Sequence, residues 1–327
     1  MILEVENFSN SPIFKFPNRQ IFYFSMSPKA KIYTALGLVY VVWGSTFLGV
    51  KYAINVLPPL LVSCTRFLIG GTLLFLFTLL KGEGFPSIKQ VRNAAFVGVL
   101  LSGVGNCVVA YALQFMPSGL VALLVATLPA WMILLDFLLF SKQKPTIISI
   151  IGLILGLVGM VFLLNPAQQI GQREVAIFPA LLVFVGSVAW AFGSLKSPYL
   201  SLPRPLQSTA IQMMVGGCFS LIMSLIFEKN QLHALQSMTQ ETYLAMIYLI
   251  VVGSYVGYTA YVWLINNAPP QLTATYAYVN PVVAIFLGWL FLDERLTSRS
   301  FLASAIILSG VILMTLGRRK KPKQVEM

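Results

Sequence analysis

The chain has 327 residues, of which 57% are hydrophobic and only 10% are charged, and its formal net charge is +12. Soluble domains carry roughly 25% charged residues, so the composition excludes a soluble globular protein. The positive charge by itself would suit nucleic acid, but the cations lie in short segments between apolar runs, which is typical of membrane orientation. The composition therefore predicts an all-α, polytopic membrane protein.

Residues 1–30 are polar and mixed in character and are predicted to form a cytosolic N-terminal tail. They lack the apolar core and small-residue cleavage site of a signal peptide, and Met26 is an alternative start. About ten apolar runs follow, each read as a transmembrane helix. Residues 318–327 are predicted to form a basic cytosolic tail that anchors to lipid headgroups. The predicted bounds of the ten spans are 33–53, 58–80, 92–114, 118–140, 147–164, 175–195, 206–227, 243–265, 272–292 and 298–317.

The distribution of Lys and Arg predicts which side of the membrane each loop faces. With the N-terminus in the cytosol and ten spans, sixteen cations lie in cytosolic loops and tails, whereas four lie outside, at Arg173, Lys229, Arg295 and Arg299. Cytosolic loops of membrane proteins carry the excess of Lys and Arg. We therefore expect both termini in the cytosol and a multi-pass protein of the cell (inner) membrane.

The two halves of the chain match each other at a shift of about 150 residues, which indicates an internal duplication. We expect a first repeat at 31–165 and a second at 174–317, each with five helices. An odd number of spans inverts the second copy relative to the first, and inverted repeats place a solute site near the bilayer midplane. The matched blocks are Gly103–Tyr111 with Gly253–Tyr261, Trp43 with Trp190, Gly70-Gly71 with Gly216-Gly217, Pro117 with Pro269, Leu120 with Leu272, Ala122 with Ala274, and Pro129 with Pro281.

The ninth predicted span carries a polar face inside an apolar helix. Thr273, Tyr276 and Asn280 are at helical spacing, and Pro281 follows directly. Polar side chains at membrane depth are costly to expose to lipid, so this face should contact protein or water. Pro281 frees a backbone carbonyl one turn earlier, which can bend the helix and offer an acceptor. We expect these residues to contribute to a solute site.

Several short segments resemble the EamA repeats of the drug/metabolite transporter superfamily. Trp43-Gly-Ser-Thr-Phe47, Leu57-Pro-Pro59 and Thr65-Arg-Phe67 resemble the opening of the first repeat, and Asn280-Pro-Val282, Leu292-Asp-Glu-Arg-Leu296 and Ser309-Gly-Val311 resemble the close of the second. The resemblance covers Ile32 to Leu316. It implies ten helices in two inverted five-helix repeats, and export or exchange of small organic molecules such as amino acids, metabolites or drugs. Where the first repeat usually has a Gly-Glu pair, this chain has Ser141-Lys142.

Arg66 is a cation roughly midway along the second predicted span. Burying its charge in the bilayer is costly unless an opposite charge or water lies beside it. It shares a helix face with Ser63 and Gly70. One interpretation is a counter-charge for a carboxylate or phosphate of the substrate. The other is a structural clamp onto backbone carbonyls.

Aromatic and polar residues follow the first and eighth spans at helical spacing. Trp43, Phe47 and Lys51 form a stripe on the first, Trp190 is the twin of Trp43, and Ser254, Tyr258 and Tyr261 form a stripe on the eighth. Rings with polar tips suit a pocket for amphipathic solutes, although helix packing and interfacial belts use the same residues. Asn106 either bonds a neighbouring helix or contacts substrate.

Three further features favour structural interpretations. Asp136 lies about one turn from the cytosolic end of its span and is interpreted as an interfacial residue. Gly152, Gly156 and Gly159 form a small-residue face for close helix packing or a dimer seam. His233 is expected in a solvated outer loop.

The sequence predicts a secondary transporter, not an enzyme, and no cofactor or metal is expected. An antiporter of anionic metabolites such as sugar phosphates is the alternative. A lipid-modifying intramembrane enzyme would need clustered Asp, His or Ser nucleophiles, and a scaffold would not need a duplicated polar face. Expected partners are a small-molecule substrate and membrane lipid, without nucleic acid, and a homo-oligomer is possible. The predicted substrate-binding residues are Trp43, Thr46, Phe47, Arg66, Asn106, Trp190, Tyr258, Tyr261, Thr273, Tyr276 and Asn280.

Overall fold

The computed structural model describes residues 27–112, 114, 115, 121, 124–164, 177–292 and 298–317, and every regular element within them is a helix. The predicted tails at 1–26 and 318–327, Arg173 and Asp293–Leu296 lie outside the described residues, as do the side chains of Phe47 and Lys51. The helices are α1 Pro28–Ala53, α2 Pro59–Leu80, α3 Ile88–Ala112, α4 Leu128–Phe140, α5 Ile147–Leu164, α6 Ile177–Lys196, α7 Pro205–Phe227, α8 Gln231–Gln236, α9 Gln240–Asn267, α10 Pro270–Ala274, α11 Tyr276–Leu292 and α12 Ser298–Leu316.

The lengths and apolar surfaces of these helices are those of a membrane protein. Large apolar side chains face outward, as on α2, where Leu73 is 55% and Leu76 is 50% exposed while Leu74 is fully buried. Within the described residues, five helices are long and apolar enough to cross a bilayer, and three shorter apolar helices lie at Leu128–Phe140, Ile147–Leu163 and Phe301–Leu316. The five long helices are Pro59–Leu80, Ile88–Ala112, Ile177–Tyr199, Pro205–Phe227 and Gln240–Asn267.

Helix α2 packs along α7, the helix that the predicted duplication pairs with it, and the two helices run antiparallel. Glycine allows the close approach: a Cβ on Gly71 would lie 2.9 Å from the Ala210 carbonyl oxygen. The start of α2 meets the end of α7, where the Glu228 carboxylate accepts from the Leu60 amide at 2.6 Å. The start of α7 meets the segment after α2, where Gln207 donates to the Gly84 carbonyl at 2.9 Å.

Helices α5 and α12 form a second antiparallel pair, and the predicted duplication matches these two helices as well. A Cβ on Gly152 would lie 2.7 Å from the Gly310 carbonyl oxygen, so the glycine face of α5 is filled within the chain by α12. This packing supports the helix-packing interpretation of that face over a dimer seam. Thr146, just before α5, donates to the Gly317 carbonyl at 2.6 Å, and the Arg299 Nε near the start of α12 donates to the Phe162 carbonyl at 2.7 Å.

Helices α1 and α6 occupy the centre. Helix α1 packs on α9 and α11, and α6 packs on α3 and α4. The largest cluster of buried apolar residues lies where these helices meet, and it includes Phe67, Leu101, Met132 and Met213.

The prediction that residues 118–140 and 272–292 each form one continuous helix is wrong. The chain turns at Thr127 before α4 and at Thr275 before α11, whereas Pro281 remains inside a helix. At both turns the threonine hydroxyl donates to the carbonyl three residues earlier at 2.6 Å. These matched hydrogen bonds align Thr127 with Thr275. The predicted alignment of Pro129 with Pro281 differs from this one by about one helical turn.

Candidate functional site

Five aromatic side chains from both halves of the chain meet at the centre; we call them the aromatic layer. Its members are Trp43 on α1, Trp190 on α6, Tyr258 and Tyr261 on α9, and Tyr276 on α11. Trp43 and Trp190, which the predicted duplication pairs, contact each other edge to face, with ring centroids 5.9 Å apart. Trp43 also lies 5.1 Å from Tyr261 and 5.0 Å from Tyr276 between centroids. Contacts of this geometry add to the apolar area they bury, so the layer is a cohesive unit.

The polar tips of these rings are hydrogen-bonded within the protein. Trp43 Nε1 donates to the Gly253 carbonyl at 3.1 Å, and Trp190 Nε1 donates to the Tyr261 hydroxyl at 2.6 Å. The Ser102 hydroxyl donates to Tyr258 at 2.7 Å, and Tyr258 donates to the Gln212 carbonyl oxygen at 3.2 Å. Buried polar groups need such partners, and here the bonds connect α1, α3, α6, α7 and α9.

Helices α3 and α9 reach the layer through π-helical segments at corresponding positions, Val99–Gly105 and Leu249–Tyr258. A π turn widens the helix and commonly occurs at functional sites. Asn106, directly after the first segment, and Ser254, within the second, each donate to the carbonyl five residues earlier, the Asn106 Nδ2 at 3.3 Å and the Ser254 hydroxyl at 3.1 Å. The described bond of Asn106 is therefore to its own helix.

Arg66 lies beside the layer and contacts the other half of the chain. Its Nε donates to the Ser254 hydroxyl at 2.5 Å, and its guanidinium carbon is 5.0 Å from the centroid of the Phe67 ring. Because Gly253 accepts from Trp43 and directly precedes Ser254, the guanidinium and the layer share one stretch of α9. Within the described residues, Arg66 has no carboxylate within salt-bridge distance.

Thr46 is buried one turn beyond Trp43 and donates to the Trp43 carbonyl at 2.7 Å. Thr273, Tyr276 and Asn280 are also buried, as the sequence predicted for a face turned away from lipid. Thr273 donates to the Pro269 carbonyl at 3.2 Å. The side-chain oxygen of Asn280 is buried without a hydrogen-bond partner among the described residues, so an acceptor is available there.

A cavity of about 700 Å³ lies at one end of the aromatic layer. It is lined by the ends of α4, α6 and α9, by the loop before α5, by α10 and by Gly317. Ser194 and Thr273 line its inner part, and the Ser194 and Tyr261 hydroxyl oxygens are 2.7 Å apart. One hydrogen bond therefore joins the cavity wall to the aromatic layer. Its volume is within the range of pockets that bind small molecules.

The structure thus brings together most of the predicted site residues, but it separates them from this cavity. Of the eleven predicted residues, Thr273 is in the described lining; the side chain of Phe47 lies outside the described residues. Sequence reasoning did not single out Ser102, Gln212 or Ser194, which hold the tyrosine hydroxyls. Ser194 lies one turn after Trp190, and that spacing was the available signal. Within the described residues, no group of three or more His, Cys, Asp or Glu could hold a metal ion.

The model of the EamA-like transporter family matches residues 31–165 and 177–316. The chain belongs to the EamA-like transporter family. Over 288 residues it is 36% identical to an uncharacterized inner membrane transporter, YedA, of Escherichia coli strain K12, covering 88% of this chain and 91% of YedA. It is 29% identical to an uncharacterized transporter, YoaV, of Bacillus subtilis strain 168, covering 87% and 98% of the two chains.

Two further comparisons place this transporter in context. It is 25% identical to a probable amino-acid metabolite efflux pump of Escherichia coli strain K12, with 86% of this chain and 94% of that protein covered. A solved crystal structure with 18% sequence identity matches with a TM-score of 0.72 over 90% of this chain and 100% of the other. The structural match concerns the fold alone. The family and these relatives make the protein a membrane transporter of small solutes.

Proposed function

We propose that the transporter moves small polar organic solutes by alternating access, with the cavity as its open side and the aromatic layer as its closed side. The observation that carries the proposal is the hydrogen bond between Ser194 in the cavity wall and Tyr261 in the layer. A solute in the cavity would contact Ser194, and Ser194 is hydrogen-bonded directly to the aromatic layer. The remaining predicted substrate-binding residues would line the path once the rings separate.

The mechanism needs two halves of opposite orientation, and we propose ten spans in two inverted five-helix repeats. Antiparallel packing of α2 on α7 and of α5 on α12 supports this, because these are the helices that the duplication pairs. The contacts of α1 and α6 support it as well, because the predicted duplication exchanges α9 with α3 and α11 with α4. Rocking of one repeat against the other would then close the cavity and open its counterpart at the opposite membrane face.

We also propose that the cavity faces the cytosol in the inner membrane, with both termini on that side. Lys142 and Lys144 lie in the loop before α5, Lys196 lies at the end of α6, and Gly317 precedes the basic tail. These cations fit the cytosolic bias of membrane proteins. A site that loads from the cytosol suits an exporter or an exchanger. The relative described as a probable amino-acid metabolite efflux pump suits amino acids or related metabolites as cargo.

Arg66 favours a second candidate function, the antiport of anionic metabolites such as sugar phosphates. Its guanidinium can bind a carboxylate or phosphate with charge-assisted hydrogen bonds. It lies beyond Trp43 from the cavity, so an anionic group would reach it only after the aromatic layer has opened. The two candidates differ in the charge of the solute that the purified protein exchanges.

Transport into proteoliposomes tests both candidates. Purified protein would be reconstituted with a panel of labelled amino acids, organic acids and sugar phosphates, with and without a pH gradient. The proposal expects saturable uptake or counterflow of at least one class. Rates equal to those of protein-free liposomes for the whole panel would contradict it. Preference for sugar phosphates, lost in Arg66→Gln, would favour the antiporter.

A further inference from the structure

Asp136 is an acid within an apolar helix, and the structure turns it toward the cavity. The surrounding sequence of α4 is Leu128-Pro-Ala-Trp-Met-Ile-Leu-Leu-Asp-Phe-Leu-Leu-Phe140. Its last part, Asp136–Phe140, is π-helical, and Asp136 is half-buried in the cavity wall. A carboxylate at this place puts a negative charge in the wall of the cavity.

The hydrogen bonds around Asp136 hold its carboxylate in place. The Ser141 hydroxyl donates to Asp136 Oδ2 at 2.9 Å, and the Ser141 amide donates to the Asp136 carbonyl at 2.8 Å. The first bond ties the side chain to the residue that follows α4, and the second is a main-chain bond that fixes the end of the helix. A fixed carboxylate binds a cationic group at a lower entropic cost than a mobile one.

The other polar groups of the described cavity lining are mostly neutral. Carboxamides from Asn266, Gln143 and Gln271 lie in the wall, with the Thr273 hydroxyl deeper. Asp136 is the one carboxylate among the described lining residues, and Lys144, the one cation, is exposed at the mouth. An exposed ammonium is screened by water, so the carboxylate in the wall is the stronger selective charge.

We propose that Asp136 binds the protonated amine of the solute, so that the cavity selects amine-bearing small molecules, cationic or zwitterionic. This rests on the proposed transport function. An ammonium donates charge-assisted hydrogen bonds to the carboxylate, and the carboxamides serve the polar remainder. A solute whose amine is acetylated loses the charge and keeps most of its shape. It is therefore the discriminating probe.

The test uses the full-length protein in proteoliposomes with the twenty labelled amino acids, their N-acetyl derivatives and the matching 2-hydroxy acids. For the wild type we expect transport of the amines to exceed that of the other two sets at least tenfold. Asp136→Asn is expected to lose at least tenfold in amine transport, and Asp136→Glu to recover part of it. Glu83→Gln is the matched control, because Glu83 is an acid outside the described cavity lining, paired with Arg204 at 3.9 Å.

A chemical rescue covers the case in which Asp136→Asn does not fold. Asp136→Cys is made in a Cys218→Ser background, because Cys218 is exposed while Cys64 and Cys107 are buried. A methanethiosulfonate reagent that adds a sulfonate should restore amine transport, and one that adds a quaternary ammonium should not. Equal effects of the two reagents would overturn the role of the charge.

The outcomes separate this inference from the proposed function. If liposomes that contain the wild-type protein transport none of the three probe sets and none of the solutes in the earlier panel, both the proposed transport function and the proposed role of Asp136 are refuted. Wild-type transport with no preference for amines would overturn the Asp136 inference alone. So would an Asp136→Asn variant that keeps the wild-type preference.

Discussion

Glu228 provides the sharpest test of how the two halves are held together. Its carboxylate is buried at the start of α2, where one oxygen accepts from the Leu60 amide at 2.6 Å. The other oxygen accepts from the Leu61 amide at 3.0 Å and from the Ser224 hydroxyl at 2.7 Å. Because Glu228 directly follows α7, these bonds tie the end of α7 to the first turn of α2.

Substituting Glu228→Gln keeps the shape but replaces one acceptor oxygen by an NH₂ donor. At least one of the three bonds is lost, and a donor then faces another donor. Hydrogen bonds to a charged group are worth about 1.5–3 kcal/mol each, and a negative charge at a helix N-terminus adds roughly 0.3–1 kcal/mol. We expect a loss of about 2–4 kcal/mol, and a fall in melting temperature of roughly 3–6 °C for a chain of this size.

The assay is thermal unfolding of the purified variants in detergent, followed by size-exclusion chromatography after heating. Glu241→Gln is the control, because Glu241 is an exposed acid in the first turn of α9. It should melt within about 1 °C of the wild type, since exposed substitutions cost little. A Glu228→Gln variant as stable as the wild type, or one no less stable than the control, would refute the reasoning.

Three further changes test the layer, the cation and the packing. Trp190→Phe removes the indole donor to Tyr261, and we expect transport to fall about tenfold, with folding intact by size-exclusion chromatography; unchanged rates would remove the layer from the path. Arg66→Gln should reduce transport of carboxylate-bearing solutes about tenfold while sparing neutral ones in the same liposomes, and an equal loss for both would indicate a structural role. Gly217→Val should prevent accumulation of folded protein, because a Cβ there would lie 2.7 Å from a backbone nitrogen of α2. Gly37→Val, with nothing within 4 Å of its Cβ, should accumulate normally.

Hydropathy located helices well where a helix is continuous. The predicted spans 147–164 and 206–227 agree with α5 and α7 to within one residue, because burial in lipid demands the same apolar length whatever the neighbours are. The breaks at Thr127 and Thr275 were missed. Hydropathy averaged over a stretch of sequence does not take account of a threonine hydroxyl that hydrogen-bonds to the main chain of its own helix. Pro281 was the more conspicuous signal for a break in the ninth span.

The tertiary structure decided the contacts between side chains that are distant in sequence. The predicted duplication paired Trp43 with Trp190, but only the crossing of α1 and α6 brings their rings together. Asp136 was interpreted as interfacial, because a position near the end of a span does not say which way a carboxylate turns. The π-helical end of α4 turns it into a cavity.

The sequence by itself determined that this is a helical membrane protein with polar side chains on its apolar helices, because composition, apolar length and the spacing of polar residues are properties of the chain. Only the tertiary structure decided that the predicted aromatic residues pack into a closed layer and that the described cavity lies at one end of it. Packing is collective: each ring takes its position from helices of both halves, and no local stretch of sequence contains that information.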